Sequence, residues 1–218
     1  MSDRQFTPAL GFRALTPLYD SAVGLLTREN TWRNLLIDLI DPRPDDYILD
    51  VGCGTGSLMV GLGQREPNAA LVGLDPDPNV LAIARKKLEN LGLRASWRQG
   101  FLDDDAVESL GHVTKIVSSL VLHQTPLSEK GAILTNCRKV VGDNGSLFVA
   151  DYGEQRSKMM RTLFRLTVQN LDGINDTQPN ADGCLPELIK SAGFCYAEEH
   201  CVIQTVTGSL SLYKASTG

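Results

Sequence analysis

A chain of 218 residues with 42% hydrophobic and 22% charged side chains has the composition of one ordinary globular domain able to bury a full core. The net charge of −5 argues against a surface that captures nucleic acid by bulk electrostatics, and no apolar run reaches the roughly 20 residues a membrane helix requires. Five cysteines at irregular spacing form neither a disulfide framework nor a zinc pattern, and no cationic-then-apolar leader opens the chain, so the expected setting is cytoplasmic with reduced thiols.

In chain order, Leu15, Leu18, Tyr19, Ala22, Val23 and Leu26 recur at helical spacing behind Thr16-Pro17, an N-cap followed by a proline suited to the first helical position. A second helix is expected with Trp32, Leu35, Leu36, Leu39 and Ile40 on one face, stopping at Asp41 because the residue before Pro42 is pushed out of the helical region. Residues 1–44 thus read as an N-terminal helical segment ahead of a domain spanning 45–218. Tyr47 to Val51 reads as a buried strand that runs into Gly52-Cys53-Gly54-Thr55-Gly56, with Asp50 two residues before the first glycine. Ser57 to Arg65 then looks helical. A bare backbone bend between a strand's carboxyl end and a helix's N-terminus is where nucleotide-like ligands approach an open α/β sheet. A dinucleotide fingerprint would need glycine at position 57, where this chain has serine.

Ala70 to Leu74 gives a second buried strand ending at Asp75, nineteen residues beyond Gly56. An acid at that strand tip can accept both ribose hydroxyls of an adenosine. Asp77 belongs instead to the following helix, as the cap before Pro78 and the periodic run Val80, Leu81, Ala84, Leu88 and Leu91, with Gly92 as the stop. Arg94 to Gln99 is the third strand, followed by Gly100-Phe101-Leu102 and by Asp103-Asp104-Asp105, an acidic run suited to a helix start. The fourth strand, Lys115 to about Leu120, leads into Ser118–His123, whose end must face the crevice shared by Gly54 and Asp75. Ser128 is expected to cap a helix with Ile133, Leu134, Cys137, Val140 and Val141 inward; a turn at 142–145, with Asn144 left-handed, then leads to a fifth strand, Leu147 to Asp151. Beyond it, Met160, Leu163, Phe164, Val168 and Leu171 read as one amphipathic helix face, with Lys158, Arg161 and Arg165 as its solvated side. Asn170 to Gly183 reads as a polar mobile loop and Leu185 to Ala192 as a short helix. Phe194 to Tyr213 reads as two strands with a turn before Gln204.

The glycine loop headed by Asp50, then Asp75, then Ser118–His123, resemble the landmarks of class I S-adenosylmethionine-dependent methyltransferases over roughly residues 45–213. Among these the chain looks most similar to small-molecule enzymes of the ubiquinone/menaquinone-biosynthesis type. The resemblance implies an α/β, Rossmann-like, seven-stranded and mostly parallel sheet with helices on both faces, an antiparallel C-terminal hairpin, and two N-terminal helices over the cofactor mouth. It implies S-adenosyl-L-methionine as cofactor and S-adenosyl-L-homocysteine as product, held by Asp50, Gly52, Cys53, Gly54, Gly56, Asp75, Pro76, Gly100, Phe101, Leu102 and Ser119. Phe101 stands where the family's aspartate contacts the adenine amino group; stacking by Phe101, a carboxylate from Asp103 or backbone groups alone remain the alternatives. Lys115 stands where many relatives open the fourth strand with aspartate.

An in-line displacement at a sulfonium methyl needs alignment and exclusion of water more than acid–base machinery. His123 is the candidate general base for a hydroxyl or amine acceptor, its alternative being a loop histidine bonded to backbone. His112 and His200 fall outside the expected crevice. No Asn/Asp-Pro-Pro-Tyr follows the fourth strand and no Pro-Cys pair occurs. The expected partner is therefore a small-molecule acceptor rather than nucleic acid, with no metal and no membrane span, and a homodimer left open. Two other classes stand beside this reading: a non-catalytic S-adenosylmethionine-binding protein, and a nicotinamide-dependent oxidoreductase, disfavoured by Ser57.

Overall fold

A computed structural model describes residues 28–111 and 113–218. The expected helix over Leu15 to Leu26, with Tyr19, and His112 lie outside the described residues. Helix α1, Glu29–Ile40, buries Trp32, Leu36, Ile37 and Ile40. This stripe is rotated from the expected one: Ile37 turns inward while Leu35 is left 41% exposed. The helix does stop at Asp41, but in a left-handed conformation (φ 45°), with its N–H still bonded to the Ile37 carbonyl.

Strands and helices then alternate as β1 Tyr47–Val51, α2 Ser57–Arg65, β2 Ala70–Asp75, α3 Pro78–Asn90, β3 Ser96–Gln99, α4 Asp104–Leu110, β4 Val113–Ser119, α5 Leu127–Val140 and β5 Val141–Tyr152. With β6 Tyr196–Thr205 and β7 Gly208–Ser216 they form one seven-stranded sheet in the order β3-β2-β1-β4-β5-β7-β6. Strands β1 to β5 are parallel, and β7 joins β5 and β6 antiparallel. The fold is the Rossmann-like sheet that the motif order implied. Its inner strands are covered on both faces, which is why they read as continuous apolar runs. One face carries Leu49, Val72, Ile116, Leu134 and Leu147; the other carries Trp32, Ile48, Leu62, Val117 and Phe148. The strand order reverses between β1 and β4, so the crevice for a ligand opens outside the carboxyl ends of those two strands.

Four local expectations are corrected. Ser128 lies inside α5, whose N-cap is Pro126. Among the described non-glycine residues only Arg28, Asp41 and Leu120 have positive φ, so Asn144 is not left-handed. Residues 142–145 are instead absorbed within β5, whose partners jump from Val113↔Val141 to Lys115↔Ser146. The final hairpin turns at residues 206–207, later than expected, where the Thr205 hydroxyl accepts the Thr207 N–H at 3.1 Å and donates to the Gly208 carbonyl at 2.7 Å.

The largest correction follows β5. The expected single helix breaks at Thr167 (φ −112°, ψ −82°) into α6 Lys158–Leu166 and α7 Val168–Asp172, leaving Leu171 72% exposed. The expected polar loop is mostly helical: α7 runs into α8, Ile174–Ala181, ahead of α9, Leu185–Ser191. Its polar residues are buried because they serve backbone groups. Asn180 Nδ2 donates to the Tyr152 carbonyl at 2.8 Å, and the Thr177 hydroxyl donates to the Gly173 carbonyl at 2.5 Å. Among the described residues no helix is long and apolar enough to cross a membrane.

Candidate functional site

The glycine loop is pinned to β2. Gly52 N–H and Cys53 N–H both donate to the Leu74 carbonyl, at 2.8 and 3.1 Å. Gly52 and Gly54 have φ of 75° and 51°, which favours glycine at both. They differ in surroundings: a Cβ on Gly52 would strike Val121 at 2.3 Å, whereas one on Gly54 would meet nothing within 4 Å. Gly54 is thus the bare backbone that faces the crevice. Cys53 is buried beside it, and burial pushes its thiol far above the ordinary range.

Asp75 braces this loop from the tip of β2. One carboxylate oxygen accepts Gly54 N–H and the other accepts Asp77 N–H, both at 2.9 Å. Burial raises its pKa while those two N–H groups oppose the rise. Each oxygen keeps a further lone pair for a ligand hydroxyl. Asp77 caps α3 as expected, accepting from Asn79 N–H at 2.8 Å, and Pro76 sits half-buried between the two acids. Lys87 was not foreseen. It reaches from α3 to the loop and donates to Ser57 Oγ at 2.9 Å and Thr55 Oγ1 at 3.2 Å.

Asp50, at 1% exposure, has no hydrogen-bond partner on either oxygen among the described residues. Burial, then the nearby Asp75, raises its pKa to about 7, against the opposing charge of Arg33. A buried carboxylate with unfilled sites next to bare glycine backbone fits a ligand bearing a cationic donor.

Beyond β3, Gly100 N–H donates to the Asp75 carbonyl at 3.1 Å, which places this turn against the same strand tip. Phe101 is 37% exposed, and Leu102 is buried with its carbonyl held by Asn136 Nδ2 at 2.7 Å. Asp103 caps α4 through Ala106 N–H at 3.0 Å, so the acidic run is a helix start. A cavity of about 280 Å³ opens here, with Leu74, Gly100, Phe101, Asp103 and Ala106 in its wall.

The end of β4 and the turn after it carry Ser119 and His123, two of the side chains singled out in the sequence. Ser118 Oγ donates to the Val51 carbonyl at 3.0 Å, locking β4 to β1, and Ser119 follows half-buried at the strand's end. Leu120 then takes φ 55°, a strained conformation for a γ-branched residue, of the sort that collects at functional sites. The strain turns the chain so that the N–H groups of Val121, Leu122 and His123 converge on one oxygen of Asp151, at 3.1, 2.7 and 3.3 Å. The other Asp151 oxygen meets His123 Nδ1 at 2.7 Å, while Nε2 lies 3.4 Å from Asp172 at the end of α7. Burial disfavours the charged ring, but Asp151 and then Asp172 outweigh it and raise the pKa to about 9. The ring, 6% exposed, also meets Tyr152 edge-on at 5.1 Å.

Beneath this turn lies Lys130, with no exposed surface. Its ammonium bonds the carbonyls of Leu122, Thr125 (2.6 Å) and Asp176 (2.8 Å), with that of His123 at 3.4 Å, and burial lowers its pKa. Sequence reasoning missed both Asp151 and Lys130 as site residues. An acid ending a buried strand at the same edge as Asp75 was the available signal for Asp151; Lys130 gave none. His200 is exposed on β6, away from this edge.

A family model described as a methyltransferase domain matches residues 48–145. The matched stretch holds the glycine loop, Asp75 and His123, and ends inside β5. A demethylmenaquinone methyltransferase of Thermus thermophilus is 39% identical over 98 residues, covering 44% of this chain and 43% of that protein. A ubiquinone biosynthesis O-methyltransferase of Azorhizobium caulinodans is 31% identical over 105 residues, 47% of this chain and 39% of the relative. The chain thus covers less than half the length of either. Among solved structures, magnesium protoporphyrin IX methyltransferase from Synechocystis with bound SAH aligns over 100% of this chain and 90% of its own, with a TM-score of 0.65 at 17% identity. An O-methyltransferase family protein from Burkholderia thailandensis reaches a TM-score of 0.70 at 15% identity, over 92% of this chain and 58% of its own. At those identities the likeness shows the fold.

Proposed function

We propose that this chain moves a methyl group from S-adenosylmethionine to a hydroxyl on a small-molecule ring. The observation that carries the reading is the pair of carboxylates at the glycine loop: Asp75 braced on Gly54, and Asp50 buried with no hydrogen-bond partner among the described residues. The cofactor, when bound, supplies an activated methyl on a leaving group. Asp75, Pro76, Gly100, Phe101 and Leu102 would flank its adenosine, and Asp50, Gly52, Cys53, Gly54, Gly56 and Ser119 its amino-acid side. The fold's task is alignment and exclusion of water.

His123 supports the choice of a hydroxyl. A base with a pKa of about 9 is matched to a phenol-type proton, whose reference value in tyrosine is about 10. At neutral pH the ring is charged and steadies the oxygen; above about 9 it can accept the proton. Asp172 has to leave Nε2 for an acceptor to reach it. One relative is by name an O-methyltransferase of ubiquinone biosynthesis, in keeping with a hydroxyl acceptor; another acts by name on demethylmenaquinone, which makes a ring carbon the competing site in the screen.

Calorimetry with S-adenosylhomocysteine, followed by a labelled-methyl screen over phenols, quinols, amines and thiols, tests the reading. Binding with transfer to a phenol or quinol is expected; no binding overturns it. A second reading, cofactor binding without turnover, draws on His123, both of whose ring nitrogens face carboxylates. Intact binding with no transfer to any acceptor selects it.

A further inference from the structure

The two carboxylates on the His123 ring are held in different ways. Nδ1 lies 2.7 Å from Asp151 and Nε2 3.4 Å from Asp172, so both nitrogens carry a proton and the ring is an imidazolium. Asp151 has no exposed surface and also takes the backbone N–H groups of Val121, Leu122, His123 and Tyr152. The Asp172 side chain is 26% exposed, and its longer contact with Nε2 is its one ion pair among the described residues.

Asp172 also ends a short arm. Helix α7 has five residues and is bracketed by two breaks in the backbone, Thr167 at φ −112° and ψ −82° and Gly173 at φ 87° and ψ 147°. Its first residues, Val168 and Gln169, are buried, but Asn170, Leu171, Gly173, Ile174 and Asn175 around Asp172 are exposed, Leu171 at 72%. Beyond Gly173, α8 is fixed to the His123 turn, because Lys130 bonds the carbonyls of Leu122, Thr125 and Asp176 together. The last turn of α7 thus has little buried around it and lies between two anchored pieces. A change of φ and ψ at Gly173 releases Asp172 while the Lys130 bonds stay in place.

With Asp172 gone, the Nε2 N–H is a charged donor in a ring only 6% exposed. Such a donor left without a partner is unfavourable, so its seat has to be refilled. An oxygen bearing negative charge refills it and keeps the charge of the cluster unchanged. An amine, which brings donors of its own, does not. We infer that the Asp172 carboxylate occupies the seat of the acceptor's oxygen, and that the end of α7 is an autoinhibitory latch which an acceptor bound as a phenolate displaces. The inference rests on the methyltransferase reading and deepens it by giving the form in which the acceptor is held.

The test uses the full chain saturated with S-adenosylhomocysteine and two probe rings of like shape: 4-nitrophenol, which ionises near neutral pH, and 4-nitroaniline, which stays neutral. By calorimetry, Asp172→Ala is expected to bind 4-nitrophenol about 3- to 30-fold tighter than the wild type, because the seat no longer has to be vacated first. Its affinity for 4-nitroaniline should stay within about twofold. Asp172→Asn, which keeps the side chain without its charge, should fall between, and it keeps the test available should circular dichroism show that Asp172→Ala does not fold. Amide exchange at 170–174 should quicken when 4-nitrophenol is added to the wild type, and not in Asp172→Ala. A residue that only supported the fold would weaken the probe when removed. Unchanged or weaker 4-nitrophenol binding, an equal gain for 4-nitroaniline, or tightening with no change in exchange overturns the latch. Binding of 4-nitrophenol by neither form, with S-adenosylhomocysteine still bound, also overturns it and leaves the methyltransferase reading standing. Wild-type protein that binds no S-adenosylhomocysteine brings down both.

Discussion

Asp50 and Asp75 are neighbouring buried acids with opposite wiring, and they respond differently to change. Asp50 has a folded pKa of about 7 against an unfolded value near 4, so the folded state binds the proton more tightly. The sign follows: stability is greatest below about pH 4 with respect to this group and declines as pH rises toward 7. Asp50→Asn is therefore expected to flatten the decline in melting temperature between about pH 4 and 7, and saturating S-adenosylhomocysteine should flatten it in the wild type. An unchanged slope in the variant would remove Asp50 from the account. Asp75 instead accepts two backbone N–H groups that shape the loop. Asp75→Ala should weaken S-adenosylhomocysteine by about 1–3 kcal/mol, the usual range for buried polar groups left unpaired. Calorimetry giving wild-type affinity would move the ribose contact elsewhere.

At the scale of elements, what the sequence reveals depends on how local the determinants are. The loop at 52–56, the Asp77 cap and the start of α4 at Asp103 are set by residues within a few positions, so spacing alone finds them. Helix α8 is set by distant groups. Asn180 is buried because it bonds the Tyr152 carbonyl, and the backbone of Gln155 donates to the Ala181 carbonyl at 2.9 Å; nothing near 170–183 announces either contact. Lys130 shows the same limit. One buried ammonium joins the His123 turn to α8 through the carbonyls of Leu122, Thr125 and Asp176. Lys130→Met should leave those carbonyls without a donor and destabilise the fold by about 1–3 kcal/mol. Amide exchange should quicken at 121–125 and 174–181 together; loosening of one segment without the other would show that the ammonium does not couple them.

Across the whole molecule, the alternation of strands and helices makes the parallel sheet readable, while the pairing of β7 between β5 and β6 comes only from register. That long-range arrangement builds the His123 cluster from three parts of the chain: the turn after β4, the end of β5 and the end of α7. No spacing rule joins residues 123, 151 and 172. Because both carboxylates hold the proton on the ring, the base form of His123 appears only as pH passes about 9. The linked stability has the matching sign, complete below about 6.5 and lost as pH rises through about 9. The rate of methyl transfer to a phenolic acceptor should therefore climb toward a limb near pH 9. Asp172→Asn keeps a polar partner at Nε2 but removes a charge that favours the imidazolium, so the limb should move to lower pH while the Asp151 bond still orients the ring. Removing the base with His123→Gln should abolish the limb and lower the rate by about 10²- to 10⁴-fold, the range for general acid–base assistance. A limb that stays near pH 9 in His123→Gln belongs to the acceptor's own hydroxyl, and His123 would then be the support for its turn and not the base.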